Sequence, residues 1–117
     1  MRKEDEIRLR HMLDSAREAL SFAGGRTRED LNRDRMLALA LVKCIEIIGE
    51  AATKVGPEAR ALLPDIPWPA IVTMRHRLIH AYYDMDLDRV WDTVTEDLPP
   101  LVAALQELPA AGKHPAP

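Results

Sequence analysis

The segment "MRHRLIHAYYDMD", residues 74–86, gathers Arg75, His76, Arg77, His80, Tyr82 and Tyr83, in a chain whose aromatic residues otherwise amount to two Trp and one Phe. An arginine brings a permanent positive charge on a forked donor that matches a phosphate, and a histidine gives or takes a proton near neutral pH. Together they are the minimum set for cleaving a phosphodiester. If His80 moves the proton and Arg75 holds the negative charge gathering on phosphorus, the 2′-hydroxyl of RNA can act as nucleophile without a metal. With His76 nearby, one imidazole could serve as base and another as acid.

Spacing complicates this assignment. On a straight helix turning about 100° per residue, Arg75 and Tyr82 fall within about 20° of each other, whereas Arg75 and His80 lie about 140° apart. His76 and His80 share a face. A helix end near residue 80, or a second copy of the segment across a dimer interface, would be needed to join the groups. The pair in "HRLIH" also invites a zinc reading, but Arg77 stands where H-E-x-x-H places its general-base Glu and no third ligand follows, so no metal is expected. On spacing alone a solvated basic helix, with Tyr82 and Tyr83 as half-buried packing residues, is the favoured account.

A second polar feature is Lys43, Glu46, Glu50 and Lys54, at three- and four-residue steps through an apolar region. It reads either as a solvent face of ordinary Lys/Glu pairs or as a stripe from which Glu46 or Glu50 orients Arg75 or His80.

The elements that must carry these residues are helical. Ile7, Leu13, Ala16, Leu20 and Ala23 recur at helical intervals until "GG" at 24–25, which predicts a first amphipathic helix over residues 3 to about 24. "TRED" offers Thr27 as a cap, and the apolar pattern then runs from Leu31 to Val55, a second helix on the order of 40 Å long. "PEARALLP" suits one or two turns, and "DIPWPA" an extended approach to a helix from about Trp68 to Tyr82. Asp86 or Asp88 can cap a last helix, which Pro99-Pro100 should kink or interrupt. No strand-like alternation or repeat is visible. The expected fold is all-α, an up-down bundle of four main helices plus one short one, forming a single domain over 1–109 with a loose tail at 110–117.

Composition narrows the function classes. The chain has 117 residues, a length that suits one domain able to bury a core without disulfides. The single cysteine, Cys44, lies in the apolar run "ALALVKCIEIIGEAA" and is expected to be a buried, inert thiol in a reducing compartment. A charged start, "MRKEDEIRLRHML", and the absence of a long apolar run argue against a signal peptide or a membrane span, so a cytoplasmic location is expected. A net charge of −3 means that any nucleic-acid site must be local, or made by two associating chains.

The segment "IPWPAIVTMRHRLIHAYYDMDLDRVWDTVTEDLPPL", residues 66–101, resembles the hallmark region of HepT-like proteins of the HEPN superfamily, and "CIEIIGEAA", residues 44–52, resembles that family's second-helix segment. The family motif R-x4-H-x-Y is filled by Arg75, His80 and Tyr82, while His76 stands where Asn is typical. The resemblance implies a HEPN-like helical fold and a toxin ribonuclease of a type VII-like toxin–antitoxin pair, with Arg75 and His80 catalytic, His76 auxiliary and no cofactor. It further implies a homodimer that brings two motifs into one cleft, and a minimal nucleotidyltransferase antitoxin that attaches AMP to Tyr82. Tyr83 is chemically equivalent to Tyr82 but one residue out of register. A rival reading is a non-catalytic helical module that presents nucleotide or substrate to such a partner; nucleotide sensing through the same residues is a third.

Overall fold

A computed structural model of the chain describes residues 1–81 and 84–107, with residues 79–81 as backbone. It is a helical bundle. Helix α1 spans Lys3–Ala23 and ends where the sequence places its glycines, with Gly25 taking the positive φ of 73° that a side chain would oppose.

The long apolar stretch that follows is divided. A single turn, α2 (Asp30–Arg33), leads into α3 (Arg35–Thr53), so the spine of the bundle is 19 residues, about 28 Å, and not the longer helix the pattern suggests. The break is made by Asp34, whose extended backbone (φ −121°, ψ 91°) lets its carboxylate accept from Leu37 N at 3.1 Å. Arg26 holds that carboxylate from outside at 2.8 Å. The contact with Arg26, and then the Leu37 amide, keep Asp34 below the ordinary carboxylate range. Thr27 is not a side-chain cap; its amide donates to Asp30 Oδ2 at 2.7 Å.

The far end of α3 is closed by the next short helix, α4 (Pro57–Ala61). Arg60 donates to the carbonyls of Ala52 (2.9 Å) and Val55 (3.0 Å), supplying the donors that a helix C-terminus lacks, and its guanidinium lies 5.2 Å from the Trp68 ring centre. Trp68 opens α5 (Trp68–Thr73), and its indole N–H is satisfied by Leu63 O.

Beyond α5 the chain departs from expectation. The helix tightens into a 3₁₀ turn over Met74–Arg77 and stops, and Ile79–Ala81 (β1) pairs antiparallel with Asp84–Met85 (β2), with Ile79 opposite Met85. Asp86 N donates to Leu78 O at 2.6 Å and closes the loop. A helix through Tyr82 is therefore ruled out by the backbone, since residues 79–81 are already extended. Tyr82 and Tyr83, and the tail expected at 110–117, lie outside the described residues.

The last helix is continuous with one defect. Asp86 caps α6 (Leu87–Asp92), accepting from Arg89 N at 3.1 Å, and a π turn over Thr93–Asp97 passes into α7 (Leu98–Gln106). Leu98 N reaches back to Thr93 O, five residues away. The wide turn places Pro99 and Pro100 in the first turn of α7, where missing amides cost least, so the prolines select a π bulge and not a break.

The fold is thus all-α apart from the small hairpin, with one more short helix than the sequence pattern indicates. Its core is a single cluster in which Leu9, Met12, Leu41, Ile45, Ile48, Leu78, Leu98 and Leu105 are wholly buried. Helix α5 approaches α3 closely at Gly49, where a β-carbon would stand 3.5 Å from Ile71 O and 3.6 Å from Val72 O. Those separations are ordinary contact for a methyl group but leave no room for a branched side chain. Gly49→Ala is expected to raise stability by about 0.8–1 kcal/mol through helix propensity, whereas Gly49→Leu should lower it by about 1–3 kcal/mol by prising α5 from α3. Urea denaturation of the two variants checks this; a Gly49→Leu protein as stable as the parent would show that the contact is not tight.

Candidate active site

Because α5 lies against α3 at Gly49, the 3₁₀ turn that follows carries Arg75 back over the polar stripe of α3. Arg75 Nε meets Glu46 Oε2 at 2.9 Å, with both side chains partly open to solvent. One turn along α3, Glu50 pairs with Lys54 at 3.5 Å. The stripe is therefore more than a row of local Lys/Glu pairs, since its first carboxylate is used by the motif arginine.

The pair borders a cleft of about 420 Å³ whose walls are α1 and α3. Arg8 and His11, one helical turn apart on α1, form one wall; Lys43, Glu46, Ile47, Glu50 and Lys54 form the other, and Arg75 closes the end. Four cations against two carboxylates leave a local excess of two positive charges on a chain whose net charge is −3. The local basic site that the overall charge requires is already present in one copy of the chain.

Of the residues expected at a site, Arg75, Glu46 and Glu50 come together here. His76 does not line the cleft; it is exposed on the 3₁₀ turn, and the neighbouring Arg77 folds back to donate to Ala70 O at 3.1 Å. His80 follows the end of the helical turn on β1, so His76 and His80 are not stacked on one helical face as their spacing implied. Tyr82 lies outside the described residues. Among the described residues no three His, Cys, Asp or Glu side chains are grouped as a metal ion would need.

Arg8, His11 and Lys43 are cleft residues that the motif-centred reading did not assign. The signal was available in part: Arg8 and His11 are three apart and so share a face of α1, and Lys43 begins the stripe on α3. Nothing in spacing alone says that the two faces oppose each other. Cys44, by contrast, is only 2% exposed, donates weakly to Glu18 Oε1 at 3.7 Å, and has its thiol pushed up to about 11, first by burial and then by the Glu18 charge. It has none of the thiolate character of a nucleophile.

The class so described is a small all-α bundle that presents an arginine, a carboxylate partner and an imidazole in one basic cleft. Residues 12–108 match the family described as "Ribonuclease HepT-like", and the chain belongs to that family. It is 39% identical over 80 residues to a protein named "Probable ribonuclease HepT" from Thermococcus cleftensis, covering 68% of this chain and 73% of the relative. It is 32% identical over 100 residues to a "Putative RNase" of Caldanaerobacter subterraneus subsp. tengcongensis, covering 86% and 89%. A Methanocaldococcus jannaschii protein named "Gamma-glutamylcyclotransferase and putative RNase" is 36% identical over 101 residues, which are 86% of this chain but 46% of that protein. No solved structure matches the chain significantly. Among the described residues no helix is long and apolar enough to cross a membrane.

The Arg75–Glu46 pair is half open to water, so its contribution to stability is small. Glu46→Ala is expected to change the unfolding free energy by less than about 1 kcal/mol, read by chemical denaturation. A loss several times larger would mean that the pair is a structural clamp and not a positioning contact.

Proposed function

We propose that the protein is a metal-independent endoribonuclease and the toxin of a type VII-like toxin–antitoxin pair. The observation that carries the reading is the Arg75–Glu46 contact at the end of a cleft with excess positive charge. In this scheme Glu46 aims Arg75, and the two remaining guanidinium nitrogens face the scissile phosphate. His80 acts as general acid/base and His76 assists from outside the cleft. A 2′-hydroxyl gives up its proton as its oxygen attacks phosphorus; the P–O5′ bond breaks, and the leaving oxygen takes a proton. The products are a 2′,3′-cyclic phosphate and a 5′-hydroxyl, so neither water nor metal enters this step. Arg75 stabilises the charge on the non-bridging oxygens where it develops.

A homodimer supports the same chemistry, because a motif whose histidine sits beyond the helix end can be completed by a second copy across a two-fold axis. Regulation follows from the anionic character of the site. A nucleotidyltransferase antitoxin that attaches AMP to Tyr82 would place a phosphate and a base where RNA has to lie, using the site's own affinity to close it.

Replacing His80 or Arg75 with alanine should lower RNA cleavage by at least about 10²–10⁴-fold with the circular dichroism spectrum unchanged, and EDTA should leave the parent rate unaltered. A parent protein that cuts no RNA yet binds nucleotide tightly would favour the non-catalytic module. Co-expression with the product of the adjacent gene, where it encodes a minimal nucleotidyltransferase, followed by intact-mass and peptide mass spectrometry, should show adenylylation at Tyr82 that disappears in Tyr82→Phe. Modification at Tyr83 alone, or none with an active partner, would overturn the regulatory assignment.

A further inference from the structure

The cations of the cleft are not equivalent. Arg75 is engaged by Glu46 at 2.9 Å and Lys54 by Glu50 at 3.5 Å, so each spends charge on a carboxylate of the same wall. Arg8 and Lys43 form no ion pair among the described residues, although they face the same space from opposite helices. The local excess of positive charge therefore resides on these two side chains, one from α1 and one from α3. Neither belongs to the Arg/His motif.

We propose that Arg8 and Lys43 form a backbone-binding track for single-stranded RNA, gripping phosphates that flank the one held by Arg75. The inference deepens the ribonuclease reading and rests on it for the identity of the ligand. Three features select a single strand. The cleft is concave and of nucleotide size, about 420 Å³, a shape suited to one strand lying along the seam of α1 and α3. Half-buried Ile47 lies among the cations and offers an apolar surface to a base, while the backbone follows the charges. His11, one turn from Arg8 on the same wall, can donate to a phosphate oxygen or lie against a base plane. Affinity of this kind is sequence-tolerant and weakened by salt, since phosphates and not base edges are held.

The test is fluorescence anisotropy with a labelled 2′-O-methyl 12-mer, which lacks the nucleophilic hydroxyl, titrated with the full chain at several salt concentrations. Arg8→Ala/Lys43→Ala should weaken binding on the order of tenfold or more and reduce the slope of log K against log salt by about 1.4, the value for two lost contacts to a single strand. Arg8→Lys/Lys43→Arg, which keeps both charges, should restore affinity and slope, and thermal melts of all variants exclude a folding defect. Unchanged affinity and slope in the double alanine variant overturn the track, as does a duplex of equal length that displaces the single strand mole for mole. Cleavage of unmodified RNA by the parent is measured separately. Binding through Arg8 and Lys43 without cleavage upholds the track and removes the ribonuclease reading; cleavage by a parent whose RNA affinity ignores both residues does the reverse.

Discussion

The close approach of α5 to α3 at Gly49 is the constraint on which the site depends. A helix whose carbonyls stand at contact distance from the place of a neighbour's β-carbon leaves space there for a small side chain only, and so holds the two elements in close register. Gly49 stands one residue before Glu50 and three after Glu46, so the contact that fixes the two helices also fixes which α3 side chains meet the 3₁₀ turn after α5. Arg75 is delivered to Glu46 by backbone packing, and their ion pair only completes the placement. That division matters because an exposed ion pair alone has too little free energy to hold two long side chains in register.

The same economy of means appears at the ends of the elements. Asp34 stops the spine helix from running back to residue 30, Arg60 closes its other end, and the π turn at Thr93–Asp97 admits two prolines without breaking the last helix. Each is a local polar or steric device. The first two set the ends of α3, whose stripe of Lys43, Glu46, Glu50 and Lys54 lies opposite Arg8 and His11 of α1. The basic cleft is therefore a property of how α1 packs on α3 as much as of charge composition.

The sequence disclosed the fold class and the first helix well, because both follow from periodicity and from glycine and proline punctuation. It overextended two helices for one reason: apolar spacing persists through Asp34 and through Leu78, and hydrogen-bond geometry, which periodicity does not report, ends the helix at each place. Of the site, the Arg75–carboxylate relation was visible as one of two readings of the stripe. The wall contributed by α1 was not, since Arg8 and His11 are distant in sequence from the motif and only tertiary packing makes them neighbours. The family match spans residues 12–108, so it includes the motif but begins after both of those residues.

The end of the helical turn at Arg77 bears on chemistry as well as on fold. On an uninterrupted helix Arg75 and His80 would be held about 140° apart by a rigid rod. Here the two motif positions are divided between elements, Arg75 on a 3₁₀ turn anchored to α3 and His80 on a short strand tied back through Asp86 and Leu78. The backbone that carries Arg75 is thereby set by a 3₁₀ turn whose Met74 is buried, while the histidine's element is set by the hairpin. An in-line displacement sets the attacking and leaving oxygens on opposite sides of the phosphorus, and under the proposed mechanism Arg75 on the 3₁₀ turn would meet the non-bridging oxygens between them while His80 serves an apical oxygen.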